Sequence, residues 1–149
     1  MRGGNRLTQP QPGLSTVLTT VVDVEMGGTA ITDITGEAAR FVRGAGDGLL
    51  SVFAPHATAG VALMETGADS EPDLLEALER LLPRDARYRH RHGSPGHGAD
   101  HLLPALVSPS LTIPVAAGRM LLGTWQRVVL VSLNRDNPHR QVRLSFVEG

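Results

Sequence analysis

The chain has 149 residues, of which 41% are hydrophobic and 19% charged, and its formal net charge at pH 7 is −1. That length suits one compact domain, and the near-neutral charge excludes a general electrostatic binder of nucleic acids or membrane surfaces. There is no Cys and no Lys, so all 14 cationic side chains are Arg. Thiolate nucleophiles, Cys-ligated zinc, Schiff-base lysine and the P-loop lysine are therefore excluded.

The N-terminal residues 1–13 are polar, contain Gly and Pro and lack hydrophobic periodicity, which predicts a flexible leader before a single domain over 14–149. The positive charge of Arg2 and Arg6 is not followed by an apolar segment of signal-peptide length. No stretch approaches the roughly 18 apolar residues that cross a bilayer. We therefore expect a cytoplasmic protein.

The first half of the chain predicts strands and two helices. Thr35 begins a short helix that Gly44 ends, and Ser70 begins a longer helix whose leucines repeat at intervals of three and four residues until Pro83. Segments rich in Val, Thr and Ala predict the strands, which in chain order cover 15–24, 30–34, 48–54 and 59–65.

The second half predicts a long loop and four further strands. The loop runs from Pro83 to about Pro104, and Gly96 and Gly98 argue against a helix through His97. The strands cover 110–115, 118–122, 125–133 and 140–147, with Trp125 expected in the core. Strands at both ends around two main helices predict an α+β domain with a mixed or antiparallel, sandwich-like sheet core.

The long loop holds four of the six histidines: His90, His92, His97 and His101. A strand would place the first two on one face, and a helix would do so for the last two. Neutral imidazoles are common ligands of zinc, and three of them leave an open position for catalysis. The spacing alone is equally typical of a solvated, Arg-rich loop.

Other polar residues stand at the ends of predicted strands or within them. His56 and Thr58 follow a strand, where active-site residues often occur, although a turn histidine has the same appearance. Glu65 is a lone acid in an apolar stretch, either functional or a surface acid. The remaining candidates for binding a polar or phosphorylated ligand are Arg119, Gln126 and Arg127.

Several motifs occur in the order found in one protein family, and together they extend over about residues 14–147. The chain resembles the YjbQ-like family, a secondary thiamine-phosphate synthase family. The motifs are Asp33-Ile-Thr35, Pro55-His56-Ala-Thr58-Ala, Leu81-Leu-Pro83, Tyr88-Arg-His90, His101, Ser108-Pro-Ser110-Leu-Thr-Ile-Pro114, Gly118-Arg119 and Leu122-Gly-Thr-Trp-Gln126.

The resemblance implies a homotrimer whose histidines gather in a pocket for a divalent metal, zinc or magnesium, and for an anion. It implies His56, His90 and His101 as metal ligands, and Glu65, Thr58 and Asp100 as catalytic groups. The substrate-binding residues would be Arg119, Gln126, Arg127 and His97. The chain departs from the family pattern at Met64, Thr66, Leu103 and Arg127.

The implied activity joins a pyrimidine diphosphate to a thiazole phosphate with release of pyrophosphate. Two alternatives stand beside it. Three histidines near a carboxylate also suit a metal-dependent hydrolase of a small phosphorylated substrate. A non-catalytic trimer that binds a phosphorylated metabolite belongs to a different class, and turnover assays beside ligand titrations separate it from both enzymes.

Overall fold

The computed structural model describes residues 17–149, so the leader predicted over 1–13 lies outside the described residues. In the described range the chain forms three helices and eight strands. The helices are α1 (Thr35–Val42), α2 (Ser70–Leu81) and α3 (His97–Leu106). The strands are β1 (Val17–Glu25), β2 (Ile31–Asp33), β3 (Gly48–Phe53), β4 (Gly60–Met64), β5 (Ser110–Ala116), β6 (Arg119–Met120), β7 (Arg127–Val131) and β8 (His139–Glu148).

The strands form two antiparallel sheets, which confirms the predicted α+β class. The larger sheet has the order β1-β8-β3-β5-β6, and the smaller has the order β2-β7-β4. β1 and β8 pair along their whole length, from Val17 opposite Val147 to Glu25 opposite His139. The two ends of the described chain are thus held side by side in the larger sheet.

Strand β7 explains how the layers are stacked, because its four consecutive apolar residues are all buried. Val128 and Leu130 belong to the main core between the sheets, which α1 also joins through Ala38 and Val42. Val129 and Val131 point the other way, since side chains alternate along a strand, and pack with Leu78 and Leu103. The smaller sheet therefore lies between the larger sheet and the pair α2 and α3.

The prediction of an unbroken loop to Pro104 was wrong, because α3 begins at His97 and extends through Pro104. Gly96 stands before it with φ +89°, and the buried residues Ala99 and Leu103 pack against α2 and β7. Packing of this face outweighs the poor helix propensity of Gly98 and Pro104. The fold consequently has three helices where two main helices were expected.

The prediction that Trp125 lies in the core was also wrong, since its side chain is 71% exposed. Residues 123–126 form a turn in which the Gln126 amide donates to the Gly123 carbonyl at 3.0 Å. The Gln126 side chain accepts from the Gly123 amide at 2.8 Å, which closes the turn a second time. The strand predicted from Trp125 therefore begins only at Arg127.

In the described range no helix is long and apolar enough to cross a membrane.

Candidate metal centre

Four histidines come together at the start of α3. His97 and His101 are one turn apart on α3, and His90 and His92 come from the segment that precedes it. One possible ligand nitrogen from each ring lies within 4.8 Å of the other three. We call this group the histidine cluster.

The rings of the cluster pack directly on one another. The centroids of His90 and His92 are 3.9 Å apart, and those of His97 and His101 are 4.5 Å apart. The Nε2 atoms of His97 and His101 lie 2.8 Å apart, a hydrogen bond in which one ring donates and the other accepts. A cluster of this density gathers four nitrogen lone pairs or N–H groups around one small volume.

Glycine at position 93 allows the His97 ring to take its place. Gly93 has φ +82°, and a Cβ there would lie 2.8 Å from Cγ and 3.0 Å from Nδ1 of His97. Any larger residue would be strained in the backbone and would press on the imidazole. The same segment is tied to the β7–β8 connection by a hydrogen bond from the Ser94 hydroxyl to Asp136.

A buried ion pair lies next to the cluster. Asp100, on the first turn of α3, is completely buried and pairs with Arg84, whose side chain is 31% exposed. Nη2 of Arg84 donates to the second carboxylate oxygen at 3.3 Å. Gly96 lets the guanidinium approach the helix, since a Cβ there would lie 2.8 Å from Arg84 Cζ. The pair fixes the first turn of α3 and hence His97 and His101.

The surroundings favour the neutral form of two histidines of the cluster, His90 and His101. Burial, followed by the neighbouring histidines, lowers the pKa of His90 below its ordinary value. Burial and the same neighbours also lower the pKa of His101, while Asp100 acts in the opposite direction. Lowered pKa values keep nitrogen lone pairs free at neutral pH, which is the form that binds a metal.

A second polar centre surrounds Arg140, whose side chain is only 3% exposed. Its Nη2 donates to the hydroxyls of Thr58 and Ser132, each at 2.9 Å, while its Nε has no partner in the described part of the chain. Burial lowers the pKa of Arg140, and the negative charge of Asp100 works against that effect. The charge of Asp100 thus links the two centres.

His56 lies beside Arg140 and apart from the histidine cluster. The Gln141 amide donates to His56 Nε2 at 2.9 Å, and the Gln141 carbonyl is 3.0 Å from the same atom. Burial, and then the charge of Arg140, lowers the pKa of His56. A cavity of about 510 Å³ opens here, lined by Asp23, Glu25, His56, His139, Arg140 and Gln141.

A larger cavity of about 900 Å³ lies between α2 and the end of β7. Its walls combine apolar residues such as Ile31 and Leu75 with the charged side chains of Arg84 and Arg135. None of the four clustered histidines lines it, although Arg84 connects it to Asp100 and Ser132 connects it to Arg140. We take the two polar centres as the candidate sites, because the buried charged residues Asp100 and Arg140 lie there.

Comparison with known proteins agrees with the order of the motifs. The sequence profile of the family described as UPF0047 protein YjbQ-like matches residues 20–149. The chain belongs to the YjbQ-like family. It is 63% identical over 131 residues to the UPF0047 protein Rv2556c of Mycobacterium tuberculosis, covering 88% of this chain and 98% of that protein.

Solved structures of YjbQ-like type share the fold. A hypothetical protein from Aeropyrum pernix K1 superposes with a TM-score of 0.77 at 29% identity, covering 90% of this chain and 99% of the other. A YbjQ-like protein of unknown function from Sulfolobus solfataricus P2 gives a TM-score of 0.81 over the same shares of the two chains. At 22% identity, this second likeness concerns the fold alone.

The structure brings some of the residues expected for a YjbQ-like site together and separates others. His90, His97 and His101 meet in the cluster with His92, and buried Asp100 lies beside them. His56 and Thr58 belong instead to the Arg140 centre. Glu65 is exposed just after β4, and Arg119 is exposed on the short strand β6.

The two remaining expected residues have other partners. Arg127 Nε donates to Asp33 Oδ2 at 2.7 Å, and Gln126 closes its own turn. Neither of them is a member of the histidine cluster.

Sequence reasoning missed the roles of Arg84 and Arg140 in this YjbQ-like chain. A signal for Arg140 was present, because it occupies the same alternating face of β8 as Val142, Leu144 and Phe146. A cation in register with buried apolar residues is costly unless it has partners. Arg84 gave no such signal. The segment around it has no hydrophobic periodicity, so the sequence did not indicate that its partner Asp100 is buried.

Proposed function

We propose that the histidine cluster binds one divalent transition metal ion and that the protein is a metal-dependent enzyme acting on a small phosphorylated substrate. The observation that supports this most strongly is the convergence of four imidazole nitrogens within 4.8 Å of one another. The lowered pKa values of His90 and His101 add support, because a metal binds the neutral imidazole.

The donor set favours zinc over magnesium. Magnesium takes oxygen ligands in a strict octahedron, whereas imidazole nitrogens suit zinc and its neighbours in the transition series. Zinc with nitrogen bonds of 2.0–2.1 Å places ligands about 3.3 Å apart in a tetrahedron. In the cluster one pair of nitrogens is 2.8 Å apart and all four lie within 4.8 Å of one another, so side-chain movements on the order of 1 Å would bring them close to that spacing.

A catalytic site also needs an exchangeable position. His97 and His101 are held by α3, whereas His92 is exposed on the preceding segment, so His92 is the ligand most readily displaced by substrate. The metal would supply a Lewis acid that stabilises charge on the oxygens of a leaving phosphate group. Around it, Arg84 holds Asp100, and Asp100 favours positive charge on the neighbouring His101 ring.

The first reaction to test is thiamine phosphate formation from the pyrimidine diphosphate and the thiazole phosphate. In this coupling the thiazole nitrogen forms a bond to the pyrimidine methylene carbon as the carbon–oxygen bond to diphosphate breaks. The proposal expects turnover by the zinc-loaded protein, loss of turnover after chelation, and recovery when zinc is restored. Hydrolysis of phosphoesters without coupling would instead assign the site to a phosphohydrolase.

The metal site is tested separately from turnover. Wild-type protein, His97→Ala, His101→Ala and the control His139→Ala are dialysed against zinc, and their metal content is measured by elemental analysis. His139 is exposed and bonded to Glu25 outside the cluster, so its removal leaves the metal unaffected. We expect about one zinc per chain in wild type and control, and loss of it in the two cluster variants. Equal zinc in all four proteins would contradict the assignment.

We further propose that three copies of the chain assemble through the outer face of the larger sheet. Val17, Val147, Leu49 and Pro114 are consecutive cross-strand partners that form an exposed apolar row over four strands. Val17 and Leu49 are 53% and 52% exposed. A contiguous apolar row of this kind is typical of a surface that is covered in an assembly.

A further inference from the structure

The guanidinium of Arg140 is a buried positive charge that no carboxylate neutralises at contact distance. Its side chain is 3% exposed, and no ion pair in the described range includes it. Arginine stays protonated in proteins, so it cannot relieve the cost of burial by losing its proton. The partners it has, Thr58 and Ser132, are neutral hydroxyls.

No acid in the described part of the chain forms an ion pair with Arg140. Asp100 acts on Arg140 through its charge, but it is held in an ion pair by Arg84. Residues 1–16, which the structure does not describe, contain neither Asp nor Glu. Within the described residues, Arg140 therefore has hydroxyl partners but no carboxylate in contact with it.

The surroundings of Arg140 form a built site rather than a surface patch. Thr58 and Ser132, 6% and 4% exposed, hold one end of the guanidinium, and Nε is left without a partner in the described residues. The adjoining cavity of about 510 Å³ is lined by Arg140 and by His56, whose charge Arg140 itself disfavours. An anion beside the guanidinium satisfies its charge and offers acceptors to its donors.

Two acids also line this cavity, and each already has a partner on the opposite strand. Glu25 pairs with His139, and Asp23 accepts a hydrogen bond from the side-chain amide of Gln141 at 3.0 Å. Both acids are exposed, so water screens their charge, whereas Arg140 is buried. Arg140 is thus the one buried charge among the residues that line this cavity.

We propose that Arg140, with Thr58 and Ser132 around it and His56 beside it, is a binding site for a phosphate group. Guanidinium and hydroxyl donors suit phosphate oxygens. The assignment of that phosphate to the substrate rests on the proposed function. Binding of phosphate itself does not, because it requires neither the histidine cluster nor a metal.

The test is a titration of metal-free protein with inorganic phosphate. Binding is measured from the thermal unfolding midpoint and from the phosphorus NMR signal. Chloride at equal ionic strength measures the general salt effect. The variants are Arg140→Met, which removes the charge while keeping much of the side-chain volume, and the control Arg143→Met. Arg143 lies three residues further along β8, is exposed on the opposite face and donates to Thr19.

We expect saturable phosphate binding in wild type and Arg143→Met, and binding at least tenfold weaker in Arg140→Met. Because Arg140→Met can unfold the protein, Thr58→Val and Ser132→Ala provide a second route. Each removes one hydroxyl contact and should weaken phosphate binding severalfold in a protein that retains its circular dichroism spectrum. Pyrophosphate compared with phosphate shows whether one or two phosphate groups are accommodated.

The proposal is overturned if wild-type protein shows no saturable response beyond that to chloride, or if folded Arg140→Met binds phosphate as wild type does. Loss of self-association in Arg140→Met, with no phosphate response in wild type, assigns the missing anion to a carboxylate of another subunit and also overturns it. Phosphate binding without zinc binding or turnover would retain this site and reject the proposed metal-dependent function.

Discussion

At the scale of single residues, the histidine cluster depends on a glycine that contributes no ligand. Gly93 combines a left-handed backbone with contact to the His97 ring. A single methyl group added at position 93 is therefore expected to weaken metal binding by displacing His97, although no ligand is removed.

Gly93→Ala is expected to weaken zinc binding by about tenfold, the lower end of what displaced supporting groups cost a metal site. The added Cβ would lie 2.8 Å from His97 Cγ and displace the ring. Competition with a chromophoric chelator measures the affinity. Gly28→Ala is the matched control, since it has φ +83° with nothing within 4 Å of the new Cβ. Similar zinc affinities in the two variants would show that His97 does not need its present position.

His56 allows a prediction about pH, because its folded-state pKa lies below the ordinary value of 6.5. As pH falls through about 6.5, the unfolded chain binds a proton at His56 that the folded protein resists. The contribution of His56 to stability is therefore fully present above that pH and is lost toward acid. His56→Gln removes this contribution. We expect urea unfolding at about pH 7.5 and about pH 5 to show a smaller difference for the variant than for wild type. An unchanged difference would mean that His56 titrates alike in the folded and unfolded states.

At the scale of secondary-structure elements, α3 decides the geometry of the cluster. It carries His97, His101 and buried Asp100, and it is fixed to α2 and β7 by Ala99 and Leu103. The helix contains a proline and begins after a left-handed glycine, so its own propensity is poor. Its stability must therefore come from packing of its buried face. Truncation of Leu103, which lies on that face, tests this conclusion.

Leu103→Ala is expected to lower the free energy of unfolding by about 2–5 kcal/mol, as for other fully buried leucines. Leu103 has 0% exposure, whereas Leu106 on the same helix is 54% exposed. Leu106→Ala is therefore the control, with an expected cost within about 0.5 kcal/mol. Urea denaturation of the metal-free proteins measures both changes. Equal costs at the two positions would show that α3 is not held by its buried face.

At the scale of the whole molecule, the proposed trimer places the apolar row of the larger sheet between subunits. Leu49→Arg puts a charge into the middle of that row and should convert the assembly to monomers. Leu121→Arg changes a leucine that is 59% exposed elsewhere and should leave the assembly intact. Light scattering after size exclusion gives the mass. A monomeric wild type, or a trimeric Leu49→Arg, would contradict the proposal.

Much of the fold follows from the sequence, because alternation and turn residues act locally. Strand β3 and helix α2 begin where predicted, β1 ends one residue later than predicted, and β8 is longer than predicted by one residue at each end. No side chain caps α2, although Ser70 begins it, and Glu71 accepts a hydrogen bond from the Gly67 amide at 2.9 Å. Trp125 was misplaced because a turn of four residues interrupts an apolar run.

The sequence by itself determined the α+β class, the residue types available for chemistry and the family. It also determined that a permanently charged side chain beside a phosphate must be Arg, since there is no Lys. Only the tertiary structure decided which polar residues meet. His56 and His101 fall in different centres, and Arg140 joins Thr58 and Ser132 from separate segments. Local patterns fix helices and strands, whereas a site depends on contacts between residues far apart in the chain, which arise only when the layers pack.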